Sequence, residues 1–283
     1  MLLNLLIFGS NEAIADTSIN NPTTSDYIMG LDISRYQHKG GKTIDFVKMA
    51  AGGVKFVYIN GGNTLASGDT LAAKYYAADR SAAQVAGLAT GFYYFVHFPN
   101  TKKMEVLLSN ADNQASKVIQ RLNENGQNNL DLPLAVDVET LCTTSLLKKN
   151  CQHFIDSDLA VQWLIKFNAD IYTATKKSPL IYSYLGFINK YFSRNPELAA
   201  YPLWVGSAGI DPKKHPVGPV YKSPCRPNPW IVADCKLNWT IWQYTANLPG
   251  ANFGISTGGV DADLLKSNSL NFPSFDSQTV ATQ

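Results

Sequence analysis

Asp137 and Glu139 close the apolar run Leu-Pro-Leu-Ala-Val-Asp-Val-Glu at 132–139. In an extended strand the side chains of residues i and i+2 point the same way, so the two acids share a face roughly 6–7 Å apart. Val136 and Val138 then face the other side, where helices would cover them. Two acids at that spacing suit glycoside hydrolysis. One carboxyl keeps its proton and gives it to the leaving oxygen, while the other stays ionised and stabilises positive charge at the sugar carbon. A surface strand with two solvated acids is the plainer alternative, but the apolar residues ahead of the pair favour a buried strand that ends at a site.

Such a pair must be held by a larger frame, and from Tyr27 onward short apolar runs alternate with amphipathic stretches. The pattern predicts strands at 28–33, 54–59, 91–96, 132–138, 179–183, 203–206 and 239–244, and a last short one ending near Asp261. It predicts helices at 44–51, 70–86, 103–124, 155–175 and 187–192, the Ala-rich 70–86 and the periodic 103–124 being the clearest. Strand–helix alternation with about eight strands implies an α/β fold, an irregular TIM-like barrel. The stretch 211–238 is rich in Pro and Lys and lacks periodicity, so the late helices are expected to be shortened or missing. An open doubly wound sheet is the competing architecture, but no Gly-x-Gly-x-x-Gly follows the first strand.

In a barrel, acids at strand ends converge on one face. Asp32 ends the first strand in Gly-Leu-Asp-Ile-Ser, and Asp261 is expected to end the last in Gly-Val-Asp-Ala-Asp. The first and last strands of a closed barrel are neighbours, which brings Asp32 and Asp261 together. Tyr93, Phe95, Tyr182, Tyr184, Trp204 and Trp242 come from strands or strand ends and are candidate sugar platforms, with barrel filling or packing beneath helices as the alternative for each. Tyr182 and Tyr184 share a strand face, so they should lie inside or outside together. Gln243 is a candidate partner for a sugar hydroxyl, or equally a structural hydrogen-bonding group.

Composition narrows the classes. The 283 residues are 45% hydrophobic and only 16% charged, with a net charge of +2, which gives no electrostatic case for nucleic acid. No apolar run reaches the roughly 18–20 residues that span a bilayer, so stable membrane insertion is not expected. His38, His97, His153 and His215 are scattered and suggest neither a metal site nor a triad, so no metal or cofactor is expected. Leu2–Phe8 is a short apolar stretch and Ala13-Ile14-Ala15 a small-x-small cleavage pattern, which together read as a signal peptide over 1–15 without its basic n-region. An apolar tail is the alternative. A lead-in at 16–26, a catalytic barrel at 27–265 and a polar tail at 266–283 follow.

The cysteines agree with export to a secreted or periplasmic location. Cys142 with Cys151, and Cys225 with Cys235, would each close a local loop by a disulfide in an oxidising compartment. Zinc is the other reading, but neither pair has a Cys-x-x-Cys spacing and only His153 lies close to either.

Taken in order, several pieces resemble the family 25 glycoside hydrolases, lysozymes that act as N-acetylmuramidases. They are Gly-Leu-Asp-Ile-Ser at 30–34 with Gln37, Ala-Gly-Leu-Ala-Thr-Gly-Phe-Tyr-Tyr-Phe at 86–95 and Gln114-Ala115. Val-Asp-Val-Glu at 136–139, Pro-Leu-Ile-Tyr-Ser-Tyr at 179–184, Leu-Trp-Val at 203–205, Ile-Trp-Gln-Tyr-Thr at 241–245 and Gly-Gly-Val-Asp at 258–261 complete the set. Each is weak alone, but their order and spacing are specific over nearly all of 28–263. The resemblance implies a barrel with five βα units and three strands lacking regular helices. It also implies cleavage of the β-1,4 bond between N-acetylmuramic acid and N-acetylglucosamine in peptidoglycan glycan strands, and a monomer is the expected state.

The family's four acidic positions fall on Asp32, Asp137, Glu139 and Asp261. The resemblance implies that Glu139 is the general acid, its proton affinity raised by Asp137 and partial burial. Asp137 would stay ionised and stabilise an oxazolinium-like intermediate formed by the substrate's own N-acetyl group. Asp137 as direct nucleophile, or as base for an inverting attack, stays open at this level. Asp32 and Asp261 would position the site and hold its charge balance.

Two departures from the family pattern stand out. After strand two the usual Lys-Ala-Thr-Glu-Gly-like segment is replaced by Asn60-Gly61-Gly62-Asn63, and the usual Tyr-His-Phe of strand three reads Tyr93-Tyr94-Phe95. Neither removes a proton donor, and both bear on which glycan is bound. A non-catalytic glycan-binding barrel is the alternative from a different class. A chitinase of the other substrate-assisted family is weaker, because Leu132 and Ala135 stand where two of its acids belong.

Overall fold

Residue types along each strand decide which side faces the barrel interior. The computed structural model describes residues 27–124, 131–143, 151–208, 227–232, 235–256 and 258–267. The expected signal peptide, lead-in and nearly all of the tail lie outside that set. Eight strands close into a barrel in sequence order: β1 (Tyr27–Ile33), β2 (Phe56–Asn63), β3 (Ala89–Phe95), β4 (Ala135–Asp137), β5 (Leu180–Tyr184), β6 (Leu203–Gly206), β7 (Ile241–Pro249) and β8 (Gly259–Lys266). This excludes the open doubly wound sheet. β1 to β7 pair in parallel, whereas β8 runs antiparallel to both β7 and β1.

The direction of β8 corrects the expectation for Asp261. That residue lies near the start of β8, not at the end of a strand that finishes there. It reaches the same barrel mouth as Asp32 because the strand is reversed, and the two are register partners. The reason is the connection: only 250–258 separate β7 from β8, too short for the crossover that a parallel pair requires.

Helices α1 (Phe46–Ala51), α2 (Ala66–Val85), α3 (Met104–Glu124) and α4 (Ser157–Thr175) follow β1 to β4, and after β5 comes only a short α5 (Leu185–Phe187) running into a π-helical turn at Ile188–Phe192. In α3, Leu107, Ala111, Ala115, Val118 and Leu122 recur every three or four residues and are all buried, which gives the stripe that packs on the barrel. Asp156 caps α4 by accepting from the Asp158 N–H at 2.8 Å, and Lys176 ends it in the left-handed conformation. Among the described residues no α-helix follows β6 or β7, in line with the aperiodic late sequence.

Two apolar layers result. Val57, Ile59, Phe92, Tyr94, Val136 and Val138 face outward beneath the helices. Phe56, Tyr58, Ala135, Leu180, Tyr182, Trp204, Ile241 and Leu265 fill the interior. Burying a ring of that size stabilises by about 1.5–3 kcal/mol relative to exposing it. Gly30 makes the interior possible at β1: a Cβ there would sit 2.1 Å from the Phe56 ring, so Gly30→Ala should break the packing. Above the filled lower barrel there is space at the mouth, where the parallel strands end.

Candidate active site

At that mouth a cavity of about 160 Å³ is lined from almost every strand. Asp32 comes from β1, Tyr93 from β3, Asp137 from β4, Tyr182 and Tyr184 from β5, Trp204 from β6, Gln243 from β7 and Asp261 from β8. Glu139, just past β4, and the small Gly206, Ala208 and Ala246 complete the wall. The four acids singled out in the sequence therefore meet in one cavity. The aromatic candidates divide: Tyr93, Tyr182, Tyr184 and Trp204 line it, whereas Phe95 and Trp242 do not.

Strand parity explains Trp242. It neighbours Gln243 in β7, so one faces in and the other out. Trp242 is buried on the outer side, packed against Trp239 and Tyr244, with its indole N–H donating to the Ser207 carbonyl at 3.1 Å. Phe95 lies at the end of β3, half-buried, with its ring centroid 5.3 Å from that of His97. Of the lining rings Tyr182 and Trp204 are buried, and Tyr184 is the most open at 41% exposure.

The floor is a chain of hydrogen bonds. The Tyr182 hydroxyl donates to Gln243 Oε1 at 2.8 Å, and Gln243 Nε2 donates to Asp32 Oδ2 at 2.8 Å. Beneath it the Trp204 indole N–H donates to Asp263 Oδ1 at 2.9 Å. Asp263 is wholly buried and was not among the residues expected at the site, yet it stands two residues after Asp261 in β8 and so on the same face. The Asp32 carboxyl interacts electrostatically with those of both Asp261 and Asp263. Directly after β1 the Ser34 N–H donates to Gln37 Oε1 at 2.8 Å, which fixes the turn beyond Asp32 and gives Gln37 a structural place.

The arm that carries the second acid pair is bonded differently. Val138 N–H donates to the Tyr182 carbonyl at 3.0 Å and the Ser183 hydroxyl to the Val138 carbonyl at 2.6 Å, so the backbone between the two acids is tied to β5. Cys142 N–H donates to Thr140 Oγ1 at 2.9 Å, and Cys142 is disulfide-bonded to Cys151. Glu139 Oε1 accepts from the Tyr184 hydroxyl at 3.0 Å, while Asp137 Oδ1, although buried, has no donor among the described residues.

Burial dominates the electrostatics. It raises the proton affinity of Asp137 well above the ordinary carboxylate range, with the charges of Glu139, Asp32 and Asp261 adding to it. This departs from the expectation that Asp137 sits as an ionised group. Asp32 is raised by burial and then by Asp261, against the Gln243 hydrogen bond that favours its anion. Asp261 is raised by burial and held back by its neighbour Asp32. Asp263 is raised by burial and then by Asp32. No Lys, Arg or His lines the cavity among the described residues, so these acids cannot all ionise together.

Asn60–Asn63 continues β2 through a bulge and does not line the cavity. The Gly61 carbonyl accepts from Arg121, whose guanidinium makes two 2.8 Å bonds to Asp69. Gly62 lets that ion pair approach: a Cβ there would lie 2.6 Å from both Arg121 and Asp69. The departure from the family pattern is thus a braced strand end. Tyr94, where the family has its histidine, points outward and donates to Gln114 Oε1 at 2.7 Å. Cys235 is disulfide-bonded, while Cys225, its expected partner, lies outside the described residues. No group of three or more His, Cys, Asp or Glu among the described residues is arranged to hold a metal ion.

The model of the family Glycosyl hydrolases family 25 matches residues 31–252. Among curated proteins, none matches the sequence. Solved structures share the fold. A bacterial lysozyme from Streptomyces coelicolor superposes with a TM-score of 0.57 at 22% identity, over 84% of this chain and 91% of its own. A muramidase from Acremonium alcalophilum gives 0.57 at 21%, over 86% and 95%. The modular autolysin LytC of Streptococcus pneumoniae, in complex with a synthetic peptidoglycan ligand, gives 0.59 at 18%, over 84% of this chain and 46% of that one.

Proposed function

The chain belongs to family 25 of the glycosyl hydrolases and is a glycoside hydrolase, and from that premise we propose that it cuts peptidoglycan glycan strands at the β-1,4 bond between N-acetylmuramic acid and N-acetylglucosamine. The observation that carries this reading is the pair of Asp137 and Glu139 side by side in an acid-lined cavity at the mouth of a closed barrel. The cavity is small beside pockets that enclose a whole ligand, roughly 300–1,000 Å³, and suits one ring of a chain lying across the mouth. The open face of Tyr184 offers that ring a stacking surface.

Glu139 is the general acid. It protonates the glycosidic oxygen as the bond from that oxygen to the sugar carbon breaks. Asp137 Oδ1 lacks a donor among the described residues, and the acetamido N–H of the substrate supplies one. That bond favours the Asp137 anion and leaves the shared proton to Glu139. The acetamido oxygen, made more nucleophilic, bonds to the sugar carbon and gives an oxazolinium ion. Water then attacks the same carbon, passes a proton to Glu139 and reopens the ring. Two displacements retain configuration, whereas a single attack by water on Asp137 as base inverts it. Asp32 and Asp261 hold the floor beneath, and Gln243 orients Asp32. The Cys142–Cys151 disulfide supports action outside the cytoplasm, and no helix among the described residues is long and apolar enough to cross a membrane.

Mass spectrometry of fragments released from purified peptidoglycan tests the reading, with Glu139→Gln as control. The expected products carry N-acetylmuramic acid at the new reducing end and are absent with the variant. Retention of the glycan without release would make this a binding barrel instead.

A further inference from the structure

We propose that His38 is a positioning residue for the glycan: as an imidazolium it clamps the turn that carries Arg35 and Tyr36 onto α2, and so fixes the rim of the mouth just beyond Asp32. That turn, Arg35–Gly41, leaves the end of β1. His38 is buried in it, and both of its ring nitrogens meet oxygens. Nε2 lies 2.7 Å from Asp79 Oδ2 of α2, and Nδ1 lies 3.0 Å from the Lys42 carbonyl. A carbonyl only accepts, so Nδ1 carries a hydrogen. At Nε2 one proton is shared with a carboxylate. It rests on the imidazole, the stronger base by ordinary values of about 6.5 against about 3.9. Both nitrogens then donate, and the ring is charged. The 2.7 Å separation is that of a charge-assisted bond.

The surroundings favour the same state. The Tyr75 ring of α2 lies flat against His38, with centroids 4.1 Å apart and an interplanar angle of 2°, which sets a π face on the cation. Burial alone would lower the proton affinity of His38, but the bond and charge of Asp79 and the Lys42 carbonyl outweigh it and raise that affinity. Asp79 is the charge that acts on the ring. The Lys74 ammonium stands 5.3 Å from the Tyr75 centroid, and Lys39 and Lys42 follow His38 in its own segment.

What the clamp holds is exposed. The turn is fixed at its start by the Ser34 N–H on Gln37 and at its end by His38. Between these anchors Tyr36 is 67% exposed, and the Arg35 guanidinium lies 5.1 Å from its ring centroid. Tyr36 follows the cavity residue Asp32 by four positions, so the chain alone keeps their Cα atoms within about 14 Å. An aromatic face with a guanidinium beside it suits a sugar ring and its polar substituents. Held in place, the pair meets a glycan lying over the mouth without first having to be ordered by it.

The first test needs no substrate. The His38 ring nitrogens, assigned by their loss in His38→Gln, are followed by NMR against pH. Their midpoint should lie above about 6.5 in wild type and below it in Asp79→Asn, where no charge opposes burial. A wild-type midpoint at or below about 6.5, or one that Asp79→Asn leaves in place, overturns the proposal. The second test rests on the hydrolase reading. The clamp is complete below about 6.5 and is lost as pH rises through the folded value. KM for soluble glycan strands should therefore rise about three- to tenfold across that value, the scale of one aromatic contact. The step should move to lower pH in Asp79→Asn, and Tyr36→Ala should show the raised KM at every pH with no step. A step set by the cavity acids would stay in place in Asp79→Asn and survive in Tyr36→Ala, and either result overturns the proposal. Should Asp79→Asn not fold, the wild-type titration and Tyr36→Ala decide. A wild type that releases no fragments overturns the muramidase reading, and the same pH comparison is then read from retention of the strands.

Discussion

The floor of the cavity and the arm beside it hold similar acids with different partners. On the floor, Asp32 and Asp263 each have a neutral donor, and the donors are themselves anchored in the packed interior. On the arm, Glu139 accepts from the Tyr184 hydroxyl, and Asp137 has a buried oxygen with no donor among the described residues. Asp32, bonded by the Gln243 amide above the packed interior, serves as a fixed part of the frame. Asp137 lines the cavity and is short of a donor among the described residues, so it can accept from a molecule that enters there. The contrast separates positioning from chemistry, and substitutions on the two sides should fail in different ways.

Changes on the arm should remove turnover and leave the fold alone. Glu139→Gln keeps the shape and the Tyr184 contact but has no proton to give. Its rate of fragment release should fall by about 10²–10⁴, with the melting temperature within about 2 °C of wild type. Substantial residual activity would take the acid role from Glu139.

Asp137→Asn should lose about 10²-fold or more in kcat, because an amide cannot supply the negative charge at the oxazolinium stage. It should not lose stability. The proton affinity of Asp137 is raised in the folded protein by burial and then by Glu139, so its contribution is complete below the unfolded value of about 3.9 and is lost as pH rises through the folded value. Wild type should therefore melt at a lower temperature as pH rises from about 4 towards 8, and Asp137→Asn should show a shallower fall. Thermal melts across that range check the sign, and an unchanged slope would mean that Asp137 is not held protonated when the site is empty.

A change on the floor should behave the other way. Gln243→Ala leaves the Tyr182 hydroxyl and Asp32 short of one partner each, both in buried surroundings. Stability should fall by about 2–4 kcal/mol. The fall in kcat should be smaller than for either arm variant. A variant with wild-type stability and no turnover would move Gln243 from the frame to the chemistry.

How much of this contrast could be read from the sequence depends on strand direction and parity. The parallel strands and their ends were legible because apolar runs alternate with periodic helices, and Asp32 and Asp137 sit where those runs stop. β8 was harder, since its reversal is signalled only by the short 250–258 connection, and a reversed strand presents its beginning to the site. Asp263 was missed for that reason, although Asp261 and Asp263 repeat the i, i+2 spacing that identified Asp137 and Glu139. Trp242 was placed at the site against a rule already in hand, because Gln243 beside it must face the other way. Hydrogen-bond satisfaction was not legible at all: Tyr182, Gln243 and Asp32 are far apart in the chain, and only the closed barrel brings them together.

The Cys142–Cys151 disulfide secures the arm from its far end. It closes a loop with a sequence separation of 9, for which constraint of the unfolded chain is worth about 2–3 kcal/mol. Cys142→Ser with Cys151→Ser should therefore lower the melting temperature by about 5–10 °C. Thr140, Val138 and β5 still hold the backbone at Glu139, so kcat should change less than about threefold, the fraction of a decade expected when the acid itself is undisturbed. A large loss of turnover with little change in melting would show that the disulfide positions the acid and does not merely brace the loop.

Tyr184 is where arm and floor meet, and it should give the smallest effect. Its hydroxyl donates to Glu139 at 3.0 Å, while its ring lies edge-on to Tyr182, 5.9 Å between centroids, and so touches the floor network from above. At 41% exposure the hydroxyl has water to replace a lost partner, which limits the cost of removing it. Tyr184→Phe keeps the ring and its stacking face and deletes only the bond to the acid. A hydroxyl donor favours the Glu139 anion, so without it Glu139 should hold its proton to higher pH, and the alkaline limb of the kcat profile should move up. The rate near the optimum should fall by about three- to tenfold, the scale of one partly exposed hydrogen bond. Tyr184→Leu, which also removes the ring, should add a rise in KM if a sugar stacks there. The same KM for Phe and Leu would leave Tyr184 a partner of the acid alone and hand the stacking surface to another residue of the mouth.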